Sequence, residues 1–185
     1  MGIRFSLGKF VATSEVARAR QRVWRDGQNH IEPVFPRPQS IAVADQHPHL
    51  NRAQKTVVED VLSSPDRIQG IQGFAGSGKT TTFTVIRNAA EQQGYQVEGF
   101  ASTSRAARQL NEAAIEAGTL QGFLARTADP DVAERKHFYL VDESSLARTN
   151  QTREFLTRLG PHDRVLLIGD TRQDQLHGRN HRGEQ

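Results

Sequence analysis

The stretch Gly73-Phe74-Ala75-Gly76-Ser77-Gly78-Lys79-Thr80 decides the fold, because it matches the pattern G-x-x-x-x-G-K-[ST] in full. Glycines at the tight positions of such a loop let backbone N–H groups approach a polyphosphate and allow positive φ angles. A helix that begins at the end of the loop directs its free amides and its positive dipole end at the anion. We therefore predict that the chain binds a nucleotide through Gly73, Gly76, Ser77, Gly78, Lys79, Thr80 and Thr81.

Two side chains at the end of this loop carry the charge and metal chemistry. Lys79 is a cation that can reach the β- and γ-phosphates, and Thr80 offers its hydroxyl to Mg²⁺. Chance alone would produce the pattern in roughly one such chain in a hundred or fewer. Because the loop also follows an apolar run and opens a helical pattern, we expect ATP and Mg²⁺ as cofactors.

Outside the loop, helical patterns alternate with short apolar runs. The strand candidates are residues 67–72, 96–101, 137–143 and 164–170. One helix candidate is capped by Asn51 and runs to Leu62, and a second covers 105–117 and is ended by Gly118. This alternation is typical of an α/β fold with a parallel sheet flanked by helices.

The two ends of the chain lie outside this alternation. The pattern over 14–24 predicts a helix with Ser14 as its candidate N-cap, and the prolines at 33, 36 and 38 predict an extended linker over 27–40. The last residues carry few large apolar side chains, which predicts a disordered tail. We therefore divide the chain into an irregular extension over 1–49, a nucleotide-binding domain over 50–176 and a tail over 177–185.

Composition narrows the class of protein further. The chain has 185 residues, the length of one domain with appendages, and no cysteine, which excludes a disulfide framework and a thiol nucleophile. No run approaches the ~18 apolar residues that a membrane span needs, so we expect a cytoplasmic protein. The net charge of +3 permits a nucleic-acid partner without arguing strongly for one.

Acidic and polar residues follow two of the apolar runs. Asp142 and Glu143 end the run over 137–143, where Asp142 can hold Mg²⁺ and Glu143 can act as the catalytic carboxylate beside the attacking water. Residues 167–173 end the last run, and a polar side chain there can sense the γ-phosphate or can belong to a plain strand-to-loop turn.

Six blocks in this order resemble the motifs of superfamily 1 helicases, in particular the RecD-like motor of the MobF conjugative relaxases. The resemblance covers about residues 40–176. The blocks are Leu50-Asn51-Arg52-Ala53-Gln54 (Q motif), residues 73–81 (motif I), residues 101–107 (motif Ia), residues 119–124, residues 141–147 (motif II) and Gly169-Asp170-Thr171-Arg172-Gln173 (motif III).

The resemblance implies a RecA-like sheet and a role for each block. It implies that Gln54 contacts adenine and that Gln173 senses the γ-phosphate, with Lys79, Glu143 and Gln173 as the catalytic residues. It also implies that single-stranded DNA contacts Thr103, Ser104, Arg105 and Thr119.

The sequence also departs from the complete relaxase pattern. No nicking domain precedes the motor, and motifs IV to VI do not follow motif III before Gln185. We therefore expect the first RecA-like half of a motor, which binds DNA weakly without its second motor domain. A truncated gene, a decayed remnant and a designed fragment all fit the sequence.

Three functional hypotheses follow. The first is an ATP-hydrolysing motor domain of a relaxase-type DNA helicase. The second is a remnant that binds nucleotide or DNA without useful turnover. The third is an unrelated P-loop enzyme such as a small kinase, although the sequence shows no arginine-rich lid and no base placed for an acceptor.

Overall fold

The computed structural model describes residues 4–5, 30–72, 78–126, 135–142 and 149–169. The strands are β1 (Arg4–Phe5), β2 (Ile68–Gln72), β3 (Tyr95–Phe100), β4 (Ala117–Gly118), β5 (Lys136–Asp142) and β6 (Arg164–Gly169). The helices are α1 (Arg37–Asp45), α2 (Arg52–Ser63), α3 (Lys79–Gln92), α4 (Ser104–Glu112), α5 (Leu120–Ala125) and α6 (Thr149–Thr157). In this part of the chain, no helix is long and apolar enough to cross a bilayer.

The described strands form a single sheet in the order β1-β2-β6-β5-β3-β4. The strands from β2 to β4 along this order pair in parallel, which confirms the predicted α/β fold with a parallel sheet. The sequence did not predict β1, which pairs antiparallel with β2 at the edge of the sheet. The four predicted strands agree with the structure to within one residue at either end.

The core lies on both faces of this sheet, because side chains alternate along its buried central strands. Phe138 and Leu140 of β5 join the cluster under α2, α3 and α4, whereas Tyr139 and Val141 join a second cluster that includes Phe155 of α6. The centre of β5 is covered on both faces, which explains why Phe138 to Val141 form a continuous apolar run.

Part of the predicted N-terminal extension belongs to the first cluster. Val34 and Phe35 are buried there, together with Ala44 of α1. Prolines do not prevent α1, because Pro36 is its N-cap and Pro38 lies in its first turn, where a helix needs no backbone N–H. The predicted linker over 27–40 is therefore wrong from Arg37 onward. The helix predicted over 14–24 and the predicted tail lie outside the described residues.

The second predicted helix ends earlier than the sequence indicates. α4 stops at Glu112, because Ala114 adopts a left-handed conformation with φ 56° and Ile115 N donates to Leu110 O at 2.9 Å. Burial of Ile115, which is 1% exposed, favours this turn over another turn of helix. Gly118 does not cap the helix as predicted but ends the short strand β4, which pairs with β3.

Arg164, the first residue of β6, lies at the amino-terminal edge of the sheet and is fully buried. Its guanidinium donates to the carbonyl oxygens of Ser64 at 3.0 Å and Asp66 at 3.2 Å, and also to that of Glu32. Its Nε donates to the hydroxyl of Tyr95 at 3.3 Å. These acceptors replace the water that the cation loses on burial, so Arg164 ties the segment before α1 to the sheet.

Asp163 organises the same edge from the loop before β6. It is fully buried, and its carboxylate accepts hydrogen bonds from His137 N at 2.9 Å and Gly160 N at 2.7 Å. Burial lowers the pKa of Arg67, while the nearby charge of Asp163 raises it and that of Arg164 lowers it. This edge is therefore structural and lies opposite the edge that carries the predicted site.

Candidate nucleotide-binding site

The predicted site residues that the structure describes meet at one edge of the sheet. Parallel strands end on the same side, so the chain leaves β2, β3, β4 and β5 at a common carboxyl edge. Lys79 and Thr80 begin the helix after β2, Asp142 ends β5, and Thr103 and Thr119 follow β3 and β4. Open α/β sheets bind their ligands at this edge.

The strand order separates two groups of residues along this edge. β6 lies between β2 and β5, so Gly169 at its end lies between Gln72 at the end of β2 and Asp142 at the end of β5. The residues expected to contact DNA follow β3 and β4, at the other end of the same edge. The boundary between the two groups falls between β5 and β3.

Gly78 marks the end of the phosphate loop and is the N-cap of α3. Its φ of 75° and ψ of 29° are left-handed, a conformation that glycine adopts without steric cost. A Cβ at this position would lie 2.1 Å from Gln54 Nε2. The backbone conformation therefore favours glycine here, and any larger residue would also displace the Gln54 amide.

Gln54 lies directly against Gly78 rather than open to the surface. Its Nε2 donates to Gly78 O at 3.1 Å, and its Oε1 accepts from Asn51 N at 2.9 Å. Asn51 completes the capping box by accepting from Gln54 N at 3.0 Å, which confirms Asn51 as the predicted N-cap of α2. The Q-motif glutamine thus joins the start of α2 to the end of the phosphate loop.

Lys79, Thr80 and Thr81 form the first turn of α3. Lys79 is only 6% exposed, whereas Thr81 lies on the surface. Thr80 is half-buried, and its hydroxyl donates to Oε2 of Glu112, the last residue of α4, at 3.4 Å. The hydroxyl expected to bind Mg²⁺ is therefore beside a carboxylate that the sequence had not singled out.

Asp142 is half-buried at the end of β5, as expected for a carboxylate at a strand end. Ser102 Oγ donates to Asp142 Oδ2 at 3.3 Å across the boundary between β5 and β3. Ser102 precedes α4, so this contact and the contact of Glu112 with Thr80 come from the two ends of one segment.

Two of the residues expected to contact DNA also cap helices. Thr103 accepts from Ala106 N at 3.2 Å, and Thr119 accepts from Gly122 N at 3.0 Å. A capping hydroxyl oxygen acts as acceptor, and the same group carries a proton that a phosphate oxygen can accept. Ser104 and Arg105 are exposed on the first turn of α4.

The remaining predicted site residues lie outside the described part of the chain and stay predictions: Gly73, Gly76, Ser77, Glu143 and Gln173. Ser102 and Glu112 are contacts that sequence reasoning missed. Ser102 lies inside the block that resembles motif Ia, which was a usable indication. Nothing in the sequence pointed to Glu112, because its contact depends on how α3 and α4 pack.

A phosphate-loop motif that leads into a helix, followed by an acidic strand end at the same edge of a parallel sheet, is typical of a nucleotide-binding P-loop domain. The family model described as AAA domain matches residues 49–178, and the chain belongs to this family.

Three similar proteins match between 68% and 87% of this chain. Conjugal transfer protein TraA of Agrobacterium fabrum is 32% identical over 167 residues, which is 87% of this chain and 15% of TraA. Multifunctional conjugation protein TraI of Escherichia coli K12 is 32% identical over 139 residues, 69% of this chain and 8% of TraI. The ATP-dependent RecD2 DNA helicase of Deinococcus radiodurans is 31% identical over 139 residues, 68% of this chain and 19% of that helicase.

These relatives confirm the resemblance to the helicase-like motor domain of conjugative relaxases. The chain spans less than a fifth of the length of each of the three.

Proposed function

We propose that this chain is an ATP-binding first motor domain of a conjugative DNA helicase, and that it couples ATP to movement of single-stranded DNA within a longer protein. The observation that carries the proposal is the arrangement of the carboxyl edge. Gly78, in a left-handed conformation, begins the helix that carries Lys79 and Thr80. These residues lie at the same edge of the sheet as Asp142, and β6 separates β2 from β5. A small kinase is set aside, because the family and the relatives are those of helicase motors.

The side chains at this edge suit a magnesium nucleotide. Mg²⁺ prefers oxygen ligands and binds through one or two protein groups together with phosphates and water. Thr80 supplies a hydroxyl and Asp142 a carboxylate, and Lys79 supplies the cation for the β- and γ-phosphates. When bound, Mg²⁺ neutralises charge that develops on the phosphate oxygens.

Two further side chains are proposed to act on the attacking water and the γ-phosphate. Glu143, which follows Asp142 directly, orients the water. Gln173 follows β6, so its place in the strand order supports contact with a phosphate bound between the loop and Asp142. Adenine contact by Gln54 and a cytoplasmic location also stay predictions.

Single-stranded DNA is proposed to follow the β3 and β4 end of the edge. Thr103, Ser104, Arg105 and Thr119 supply hydroxyls and one cation there. Such groups bind phosphates without sequence preference. Because one motor domain offers half of a groove, we expect a dissociation constant of about 10⁻⁶ M or weaker.

Calorimetric titration of the 185-residue chain with ATP and Mg²⁺ tests this proposal. We expect wild type to bind and Lys79→Ala to lose binding, because the substitution removes the cation from the phosphates. Lys55→Ala is the matched control, since Lys55 pairs with Asp45 on the surface. Equal affinities for wild type and Lys79→Ala would contradict the proposal.

Turnover separates an active motor from a remnant that only binds. An arginine supplied by a second domain is worth ~10³–10⁵ in rate for phosphoryl transfer. The blocks recognised in these 185 residues end with motif III, so we propose that the purified chain binds ATP but hydrolyses it slowly, with little stimulation by DNA. DNA-stimulated hydrolysis of about one or more per second, within the range of complete phosphoryl-transfer enzymes, would refute this statement.

A further inference from the structure

One segment of the chain contacts both residues that are proposed to hold Mg²⁺. Ser102, just before α4, donates to Asp142, and Glu112, the last residue of α4, accepts from Thr80. We propose that Ser102 and Glu112 are positioning residues for the nucleotide-bound Mg²⁺. This inference rests on the proposed function and deepens it.

When the hydrogen bond to Glu112 is made, it orients the Thr80 hydroxyl. A hydroxyl has one proton and two lone pairs, and only a lone pair can bind a metal ion. When the proton points to the Glu112 carboxylate, the lone pairs of Thr80 Oγ1 point elsewhere and remain for Mg²⁺. Because the acceptor is an anion, it also makes the hydroxyl oxygen a better ligand.

The hydrogen bond between Thr80 and Glu112 is long, so its strength can change. The distance of 3.4 Å between Thr80 Oγ1 and Glu112 Oε2 exceeds the ~2.7–2.8 Å typical of such bonds. Glu112 is exposed, so its side chain can rotate toward or away from Thr80. The hydrogen bond can therefore strengthen or break without disturbing the core.

The contact with Ser102 acts on the other proposed ligand. The hydrogen bond from Ser102 Oγ to Asp142 Oδ2 restricts rotation of the carboxylate at the end of β5. Partners that hydrogen-bond metal ligands in this way commonly raise metal affinity by about 10-fold or more. The two contacts thus orient one oxygen ligand on α3 and one on β5.

The same segment carries residues of the proposed DNA surface. Thr103 caps α4, and Ser104 and Arg105 lie in its first turn, between the two positioning residues. A displacement of α4 on binding of DNA would therefore change the hydrogen bonds to Thr80 and Asp142. This gives the two proposed halves of the site a direct physical connection.

The inference is tested by titrating the full chain with ADP, once with Mg²⁺ and once with EDTA. We expect Glu112→Ala and Ser102→Ala each to weaken ADP binding about 10-fold in Mg²⁺ and to leave it unchanged in EDTA. Glu112→Gln keeps a hydrogen-bond acceptor and should recover part of the loss. Glu116→Ala is the control, because it removes an exposed carboxylate just beyond α4.

A double substitution tests whether Glu112 acts through Thr80. In a Thr80→Ala background, Glu112→Ala should cause no further loss of affinity in Mg²⁺. Equal losses in Mg²⁺ and EDTA, or unchanged affinities in both variants, would overturn the positioning role while ADP binding by wild type still supports the proposed function. A wild-type chain that binds no ADP in either buffer would refute both.

Discussion

The side-chain amide of Gln54 donates a hydrogen bond from Nε2 to the carbonyl oxygen of Gly78 at 3.1 Å. That oxygen also accepts from Thr82 N and Thr82 Oγ1, each at 3.2 Å, so three donors converge on the last glycine of the phosphate loop. Gln54 is itself held by Asn51 through the capping box of α2. The end of the loop is therefore positioned by a second helix as well as by α3.

Gly78→Ala should lower both stability and nucleotide affinity. Alanine at a φ of 75° costs about 1–2 kcal/mol, and its Cβ would lie 2.1 Å from Gln54 Nε2, so Gln54 must move. We expect a loss of about 1–2 kcal/mol in the free energy of unfolding, measured with urea, together with weaker ATP binding by calorimetry.

Gly94→Ala is the matched control for this substitution. Gly94 has a similar φ of 80°, but a Cβ there meets nothing within 4 Å. Gly94→Ala should lose stability as Gly78→Ala does, but its affinity for ATP should be unchanged. An equal effect of both variants on ATP affinity would show that contact with Gln54 is unimportant.

Gln54→Ala should weaken binding of inorganic tripolyphosphate as well as binding of ATP. The reason is that the Gln54 amide holds Gly78 O, which acts on the phosphate loop whatever base the ligand carries. Competition titrations with ATP and tripolyphosphate measure this. A loss confined to ATP would instead favour the adenine contact that the family resemblance implies.

Binding to an oligothymidylate should be weak and should fall steeply with salt, because phosphate contacts release counterions. Arg105→Ala should reduce the slope of log affinity against log salt by about one. The control is Arg153→Ala, which removes an exposed arginine on α6. Salt-independent binding by fluorescence anisotropy, or an unchanged slope in Arg105→Ala, would contradict a DNA surface at α4.

Asp163→Asn should destabilise the chain by about 1–3 kcal/mol. The asparagine amide puts an N–H₂ group where a buried carboxylate oxygen accepts from His137 N or Gly160 N, so one donor loses its acceptor. Asp45→Asn on the surface should cost less than about 1 kcal/mol. Urea unfolding of both variants measures the difference, and equal stabilities would contradict a structural role for this edge.

The sequence was sufficient to predict those elements whose formation depends on residues close together in the chain. The central strands are largely apolar on both faces, so β5 and β6 were evident from sequence, as was Asn51 as the N-cap of α2. The order of the glycines, Lys79 and Thr80 likewise predicted where α3 begins. The family motifs added the expected roles of these residues.

Two other features, the end of α4 and the strand β1, depend on packing between parts of the chain that are distant in sequence. The sequence did not show that α4 would end at Glu112, since the left-handed Ala114 is favoured by burial of Ile115 against distant parts of the core. It also did not show β1, whose only described pairing is with a strand more than sixty residues away along the chain.

The amino-acid sequence by itself determined the phosphate-loop motif, the alternation of strands and helices, and the family, because each motif and each element depends on residues within a few positions of one another. Only the tertiary structure decided that β6 lies between β2 and β5, that Gln54 holds Gly78, and that the segment from Ser102 to Glu112 contacts both Thr80 and Asp142. The three side-chain contacts join residues between 24 and 40 positions apart in the chain, and the paired residues of β2 and β6 are farther apart still. They depend on the order of strands in the sheet and on the packing of helices across it, neither of which local spacing specifies.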